Sequence, residues 1–292
     1  MRLAYVAGQI VPLAAASIDV EDRGLQFADS LYEVCAVLNS RLLDWPLHLD
    51  RLTGNLTTLD IAQPMSPAAL TLVARRLLAA NRVTEALLYI QVTRGVAKRD
   101  HAFARGMRPT LVMTVRPFDF AQRVVQQASG VAVVRMPDQR WGRCDIKTTG
   151  LLANVLAKQT AREAGAFEAL LVGDDGIVAE GSSTNIWAVF GGTLVTPPLS
   201  QRVLPGVMRA TLLRLAVANR LSVTERLFNI DEARDADELM LSSTTAPMLP
   251  VVQLDGRAIA DGKPGPIAGA LARLMWEEIA RQTGYRPVGL PA

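Results

Sequence analysis

The sequence predicts an α+β protein with two domains. Candidate strands and helices occur in separate groups along the chain rather than in the alternation of a doubly wound fold. A polar stretch rich in glutamine begins after Phe120 and divides this pattern into two halves. The 292 residues, 50% of them hydrophobic, are roughly twice the length of a common domain and can bury a sizeable core. We therefore expect domains at residues 1–119 and 126–292, joined by a linker at residues 120–125.

The first half of the chain predicts hairpins and helices. Apolar and polar residues alternate on both sides of a turn at Gly8, and a second hairpin turns at Asn39 and Ser40. Ser66 precedes a helical pattern that it can cap, with Pro67 in the first turn. The expected strands are 3–6, 9–11, 32–38, 42–45, 87–93 and 110–115, and the expected helices are 47–59 and 67–80.

The second half predicts short strands separated by glycine turns, together with three helices. The expected strands are 131–135, 169–172, 176–180, 184–190, 193–195, 222–225, 238–241 and 251–254, and the expected helices are 151–163, 207–218 and 266–282. No internal repeat of fixed period is visible.

Charge and composition exclude several classes of protein. The 31 basic and 28 acidic residues leave a net charge of +3, too little for a nucleic-acid-binding surface. Two histidines and two isolated cysteines cannot supply the clustered ligands of a zinc site, so we expect neither a metal nor a disulfide between Cys35 and Cys144.

The chain also lacks the marks of a membrane protein. No run of about 18 apolar residues is present to span a bilayer. The apolar N-terminus resembles a short signal peptide, but Gly8, Gln9 and Pro12 interrupt it, so a hairpin is the preferred interpretation. We therefore expect a cytoplasmic protein.

The chain contains four lysines, Lys98, Lys147, Lys158 and Lys263. Lys147 follows an apolar residue and precedes a hydroxyl-rich turn and a helix, whereas the other three lie in solvated contexts. A partly desolvated lysine at a strand end can act as nucleophile and base. The alternative is a lysine whose aliphatic stem covers an apolar edge, and local context alone does not decide between the two.

Two further segments could bind a phosphate. Gly206 precedes a helix, so the amides of Val207 and Met208 can point at an anion with the helix dipole behind them. The loop Ser242–Thr245 follows a strand and offers hydroxyl donors. Either feature alone is usually structural, but together with Lys147 they favour a phosphorylated aldehyde cofactor.

Several segments of the chain resemble a known family. The segments that carry the resemblance, in matching order and spacing, are Glu21–Asp29 with Tyr32–Val34, His48–Leu52, Gln91–Gly95, Arg140–Lys147, Asn154–Gln159, Glu180–Asn185 and Ser243–Thr245. They are similar to the fold-type IV aminotransferases, which use pyridoxal 5'-phosphate, and within them to the D-amino acid transaminases. The resemblance implies a two-domain fold with the cofactor between the domains, a homodimer, and ping-pong transfer of an amino group from an amino acid to a 2-oxo acid.

The resemblance assigns roles to Lys147 and Glu180. Lys147 matches the lysine that holds the cofactor covalently and moves a proton at the substrate α-carbon. Glu180 matches the acid that pairs with the pyridine nitrogen and keeps it protonated. From the residues alone, Glu180 is typical of an exposed acid at a strand end.

The resemblance also implies a set of phosphate contacts. Arg51 matches the arginine that binds the cofactor phosphate, for which a forked guanidinium is suited. The backbone of Val207 and the loop containing Ser243 and Thr244 match the remaining contacts. Met208 stands where the family usually has threonine, which removes a hydroxyl donor but keeps the amide.

Tyr32, Arg99 and His101 match the residues that bind the substrate α-carboxylate in D-amino acid transaminases. Three donors on one side of the cofactor would select the enantiomer whose Cα–H faces Lys147. In that family the loop at residues 97–101 approaches the partner's active site. Asp100 and Ala36 depart from the familiar pattern and leave the side-chain preference open.

Other activities remain as alternatives. A branched-chain L-amino acid transaminase, an (R)-amine transaminase and an aminodeoxychorismate lyase would share the cofactor machinery, and Arg99 with His101 argues against the first two. A non-catalytic binding protein of the same fold would show no cofactor absorption.

Overall fold

The computed structural model describes residues 2–287, so Met1 and residues 288–292, at the ends of the two predicted domains, lie outside the described residues. The chain divides into two units. The first comprises Met1–Asp119, Ile146–Gly150 and Gln282–Tyr285, and the second comprises Phe120–Asp145, Leu151–Arg281 and Arg286–Ala292. The sequence placed residues 146–150, which include Lys147, in the C-terminal domain, whereas they belong to the first unit.

The first unit is built on a six-stranded antiparallel sheet with the order β2-β1-β6-β5-β3-β4. Its strands are β1 (Leu3–Val6), β2 (Gln9–Pro12), β3 (Ser30–Leu38), β4 (Arg41–Leu42), β5 (Ala86–Thr93) and β6 (Thr110–Pro117). Its helices are a 3-10 turn (Leu13–Ala15), α1 (Arg23–Phe27), α2 (Trp45–Thr58) and α3 (Pro67–Asn81). The side chain of Ser66 caps α3 by accepting from the amide of Ala69 at 3.2 Å, as predicted.

The alternation of β3 determines where its side chains lie. Leu31, Cys35 and Val37 are fully buried in a core that also contains residues of α2 and α3. Glu33 lies on that same face, because side chains two residues apart share a face of a strand. Tyr32 lies on the opposite face and is half-buried.

The second unit contains a nine-stranded mixed sheet with the order β12-β11-β10-β13-β14-β7-β8-β9, in which β15 also pairs with β14. Parallel pairs join β11 with β12, β14 with β7, and β7 with β8. The strands are β7 (Val131–Pro137), β8 (Glu168–Val172), β9 (Val178–Gly181), β10 (Asn185–Phe190), β11 (Thr193–Thr196), β12 (Val223–Glu225), β13 (Glu238–Ser243), β14 (Ala246–Leu254) and β15 (Arg257–Ala258). The helices are α4 (Ala121–Ser129), α5 (Leu152–Glu163), α6 (Val207–Ala218), α7 (Ile230–Arg234) and α8 (Pro266–Thr283).

Most predicted elements are confirmed, and several regions differ from the prediction. Helices α1 and α7 were not predicted because five residues are too few to show a helical period. Helix α4 includes most of the predicted linker, since Phe120 and Val124 are buried and Gln127 donates to the carbonyl of Met248 at 2.7 Å. Residues 43–45 were predicted as strand, but α2 begins at Trp45, with Pro46 in its first turn. Among residues 2–287, no helix has both the length and the apolar composition to cross a membrane.

Candidate active site

Lys147 lies in an extended segment that pairs with the start of β3. The amide of Tyr32 donates to the carbonyl of Lys147 at 3.0 Å, and Leu31 forms an antiparallel bridge with Thr148. Ile146 is buried in the core of the first unit, so the alternation of an extended chain directs Lys147 to the other side. Its Nζ lies 4.1 Å from the centroid of the Tyr32 ring. The structure therefore brings the predicted catalytic lysine and one predicted substrate contact together.

In the second unit, Glu180 is held as a buried carboxylate near the end of β9, with 4% of its surface exposed. Asn185 Nδ2 donates to its Oε2 at 3.0 Å, and the amide of Leu204 lies 3.2 Å from both carboxylate oxygens. The guanidinium of Arg140 donates to Oε1. Glu180 was expected on local grounds to be an exposed acid, but the tertiary structure buries it and supplies three donors.

Arg140 links Glu180 to a second carboxylate, Asp138. Its Nε and Nη2 donate to the two oxygens of Asp138 at 2.9 and 2.8 Å. Burial lowers the pKa of Arg140, but the hydrogen bond to Asp138 and the charge of Glu180 outweigh burial and raise that pKa above its usual value. Burial raises the pKa of Asp138, and the hydrogen bonds and charge of Arg140 reverse the effect, so that pKa is lowered. The three side chains together carry two negative charges and one positive charge.

The predicted phosphate-binding segments lie beside Glu180 in the same unit. Asn185, which bonds Glu180, also donates to the carbonyl of Leu204 at 3.0 Å, two residues before Gly206. A Cβ added at Gly206 would lie 1.9 Å from Asn185 Oδ1, so only glycine permits this approach. Helix α6 begins at Val207 without a side-chain cap, which leaves its first-turn amides for another acceptor.

The hydroxyl-rich turn between β13 and β14 lies on the other side of Asn185. Strand β10 pairs with β13 so that Asn185 is opposite Ser242, and Ser243 and Thr244 follow directly, both half-buried. The second unit thus gathers Glu180, the start of α6 and this turn around one residue, Asn185. Asn185 lies in one of the segments that resemble the family, but the resemblance assigned it no role.

Arg51 forms an ion pair with a buried carboxylate of the first unit. Its Nε and Nη2 form a fork with the carboxylate of Glu33, each at 2.7 Å, and His48 Nδ1 lies 2.7 Å from the same carboxylate. Burial raises the pKa of Glu33, but the charge and hydrogen bonds of Arg51 and the hydrogen bond of His48 lower it to about 2. The role of Arg51 in phosphate binding stays a prediction.

Arg99 and His101 meet on the ring of Phe27 in the first unit. The Arg99 guanidinium carbon lies 4.7 Å from the Phe27 centroid, and the His101 ring meets Phe27 edge-on with centroids 5.6 Å apart. Both residues are exposed. Tyr32, the third predicted carboxylate contact, instead packs against Lys147 and Tyr89.

Another buried carboxylate, Glu168, was not found from the sequence. It is fully buried and accepts from the hydroxyls of Ser182 and Ser183, in the loop that follows Glu180. Lys158 Nζ lies 3.3 Å from it, and the Lys158 side chain is 42% exposed, so this lysine is partly solvated while it pairs with Glu168. The only sequence signal was the pair of serines, because the partner lysine lies on a separate helix.

Cys35 and Cys144 are free and buried. Residues 2–287 contain no group of three or more histidine, cysteine, aspartate or glutamate side chains that could hold a metal ion.

Comparison with known proteins identifies the family. The family model described as amino-transferase class IV matches residues 30–254. This chain belongs to the class IV aminotransferases. It is 36% identical over 276 residues to a D-alanine aminotransferase of Bacillus licheniformis, covering 94% of this chain and 96% of that protein. It is 35% identical over 280 residues to a D-alanine aminotransferase of Listeria monocytogenes, covering 96% of each.

Solved structures of class IV aminotransferases share this fold. The branched-chain amino acid aminotransferase of Escherichia coli matches with a TM-score of 0.86 at 21% identity, covering 99% of this chain and 97% of that chain. A hypothetical aminotransferase from Mycobacterium tuberculosis, in its PLP-bound form, matches with a TM-score of 0.82 at 22% identity, covering 97% of this chain and all of the other. These likenesses confirm the predicted fold class.

Class IV aminotransferases depend on pyridoxal 5'-phosphate, and the residues here fit that cofactor. The group of Asp138, Arg140 and Glu180 has one surplus negative charge, which a protonated pyridine nitrogen would balance. The uncapped start of α6, opened by Gly206, suits the phosphate. The donor set of the second unit therefore matches the two charged ends of the cofactor.

Proposed function

We propose that this aminotransferase uses D-amino acids such as D-alanine and D-glutamate as amino donors and 2-oxo acids such as 2-oxoglutarate or pyruvate as acceptors. The observation that carries the proposal is the pairing of Arg99 and His101 on Phe27. A guanidinium and an imidazole presented together form a binding site for a carboxylate. The D-alanine aminotransferases that align over nearly the whole chain support the same substrate class.

Each residue has a defined task in this proposal. Lys147 would hold the cofactor covalently through Nζ and would move the proton at the substrate α-carbon. Glu180, held by Asn185 and Arg140, would pair with the pyridine nitrogen and keep it protonated. Pyridoxal phosphate, when bound, supplies the aldehyde that accepts the amino group and an electron-poor ring that stabilises the deprotonated α-carbon.

The phosphate contacts are also part of the proposal. The amides of Val207 and Met208 and the hydroxyls of Ser243 and Thr244 would bind the cofactor phosphate, and Arg51 would contribute its guanidinium.

Donor profiling tests the substrate class. The holoenzyme is incubated separately with D-alanine and L-alanine plus 2-oxoglutarate, and pyruvate is measured. We expect turnover with D-alanine to exceed that with L-alanine by at least about a hundredfold, because the carboxylate site orients one enantiomer. Preferential turnover of L-alanine would refute the proposal.

The visible absorption band of the holoenzyme tests the role of Lys147. We expect the band to disappear on borohydride reduction and to be absent from the Lys147→Ala variant. A band that persists in both measurements would refute the role of Lys147.

We also propose a homodimer in which Arg99 and His101 serve the partner's active site, consistent with their exposure in one protomer. Complementation tests this arrangement. The inactive Lys147→Ala variant is mixed with Arg99→Ala under conditions that exchange subunits. If the sites are shared, each heterodimer regains one complete site and the mixture recovers about one quarter of the parent activity. No recovery in verified heterodimers would show that Arg99 serves its own subunit.

A further inference from the structure

Arg23, in the short helix α1, holds the backbone of the loop that carries Arg99 and His101. Its side chain is only 4% exposed. Nη1 donates to the carbonyl of Asp100 at 2.6 Å and to that of Ala102 at 3.3 Å, and Nη2 donates to the carbonyl of His101 at 3.1 Å. One planar guanidinium thus binds three consecutive carbonyls and also Asp29, four bonds that the three N–H donors of a lysine could not make.

The same helix supports the side chains of that loop. Phe27 lies four residues after Arg23, so both side chains project from one face of α1. The Phe27 ring contacts the guanidinium of Arg99 and the ring of His101. Arg23 therefore restrains the loop backbone, and Phe27 restrains the two side chains predicted to bind carboxylate.

Helix α1 is itself anchored to the end of β5. Asp22 caps α1 by accepting from the amide of Gly24 at 2.8 Å, and Thr93 Oγ1 donates to the same carboxylate at 2.9 Å. The amide of Arg23 donates to the carbonyl of Gly95 at 3.0 Å. Because these hydrogen bonds hold helix α1 against the end of β5, the helix is a rigid support for the loop.

Two ion pairs at Asp29 complete the anchor. Asp29, just beyond α1, accepts from Arg23 Nε at 2.8 Å and from Arg94 Nε at 2.7 Å. Burial raises the pKa of Asp29, but the hydrogen bonds and charges of the two arginines outweigh burial and lower it. The carboxylate stays ionised at neutral pH and holds Arg23 in the orientation that faces the loop.

We infer that Arg23 and Phe27 are specificity-determining positioning residues, which hold Arg99 and His101 ready to bind the α-carboxylate of the amino acid. This inference rests on the proposed function. Neither Arg23 nor Phe27 touches the substrate. Their effect is preorganisation: an exposed loop that is already ordered loses less conformational entropy when the carboxylate binds.

Steady-state kinetics of the holoenzyme test the inference. Phe27→Leu keeps an apolar side chain but removes the ring, and we expect the KM for D-alanine to rise about tenfold while kcat stays within about threefold. Phe27→Tyr keeps the ring and should restore the parent KM. Arg23→Lys should raise KM at least as much, whereas the same substitution at exposed Arg105 of this loop should leave KM unchanged. An unchanged KM in Phe27→Leu, or a fall in kcat alone, would overturn the inference.

Limited proteolysis gives a readout that does not depend on activity. Trypsin can cut after Lys98, Arg99 and Arg105, and cleavage requires the loop to open. We expect Arg23→Lys to accelerate cleavage at these sites by about tenfold relative to the parent. Equal rates would overturn the proposed role of Arg23 in holding the loop.

The failure of the inference can be distinguished from the failure of the proposed function. If the parent enzyme uses only L-amino acids, the proposed function fails. The KM for the L-amino acid that the parent uses is then compared between the parent and Phe27→Leu, and this comparison still decides the inference.

Discussion

The close approach of Gly206 to Asn185 makes Gly206→Ala a sharp probe of the second unit. The added Cβ would lie 1.9 Å from Asn185 Oδ1, a distance that cannot be accommodated unless the amide moves. Asn185 would then lose its bonds to the ionised Glu180 and to the carbonyl of Leu204. Gly206 has ordinary extended dihedrals, so alanine adds no backbone strain and the effect reports the side-chain clash.

The expected size follows from the bonds that break. A hydrogen bond to a charged group contributes about 1.5–3 kcal/mol and a neutral one about 1 kcal/mol, while replacing glycine by alanine recovers roughly 0.5–1 kcal/mol of backbone entropy. We expect the free energy of unfolding of the apo-protein to fall by about 2 kcal/mol. The affinity for pyridoxal phosphate should also fall about tenfold or more, because Glu180 and the start of α6 both lose their alignment.

A double-mutant cycle isolates the cause. Urea unfolding is measured for the parent, Gly206→Ala, Asn185→Ala and the double variant. If the clash with Asn185 is responsible, Gly206→Ala should cost much less in the Asn185→Ala background. Gly54→Ala, at an open position of α2, is the matched control and should stabilise the protein slightly. Additive costs, or parent-like stability of Gly206→Ala, would refute the reasoning.

Three further predictions concern buried side chains. Because the pKa of Glu33 falls from 4.5 in the unfolded chain to about 2, it contributes roughly 3 kcal/mol of stability above pH 4.5 that is lost as the pH falls towards 2. Chemical unfolding across that range should show a shallower pH dependence in Glu33→Gln, and identical profiles would contradict this. Glu168→Gln should lower the free energy of unfolding by about 1–3 kcal/mol, more than Lys158→Met does, since Lys158 is 42% exposed; the reverse order would count against the network. Met208→Thr should tighten binding of pyridoxal phosphate by about tenfold through a new hydroxyl but destabilise the apo-protein by about 2 kcal/mol, because Met208 is buried; titration of apo-enzyme showing unchanged affinity would dismiss the first effect.

Local sequence patterns were sufficient for most of the secondary structure. The apolar spacing after Gly206 predicted helix 207–218, and the structure has α6 at Val207–Ala218. The cap at Ser66 was predicted from the residue and the pattern that follows it. Such signals act within a few residues, so they survive without knowledge of the fold. The five-residue helix α1 left no such signal, because its stability comes from Asp22 and from contacts with β5.

The predicted site residues came from the resemblance more than from physical signals. Glu180 looked like an exposed acid, since its donors Asn185, Leu204 and Arg140 lie elsewhere in the chain. Likewise, no local pattern could show that Arg51 forms a fork with Glu33. Pairs of charges that are distant in sequence become visible only when strands and helices pack.

The sequence by itself determined the family, the cofactor class and the order of strands and helices, because motif spacing and apolar periodicity are properties of the chain. Only the tertiary structure decided which charges are buried and what they bind. It placed Asn185 between Glu180 and the start of α6, and Arg23 against the loop of Arg99 and His101. Burial and hydrogen-bond geometry depend on contacts between distant segments, and the sequence pattern carries no direct measure of those contacts.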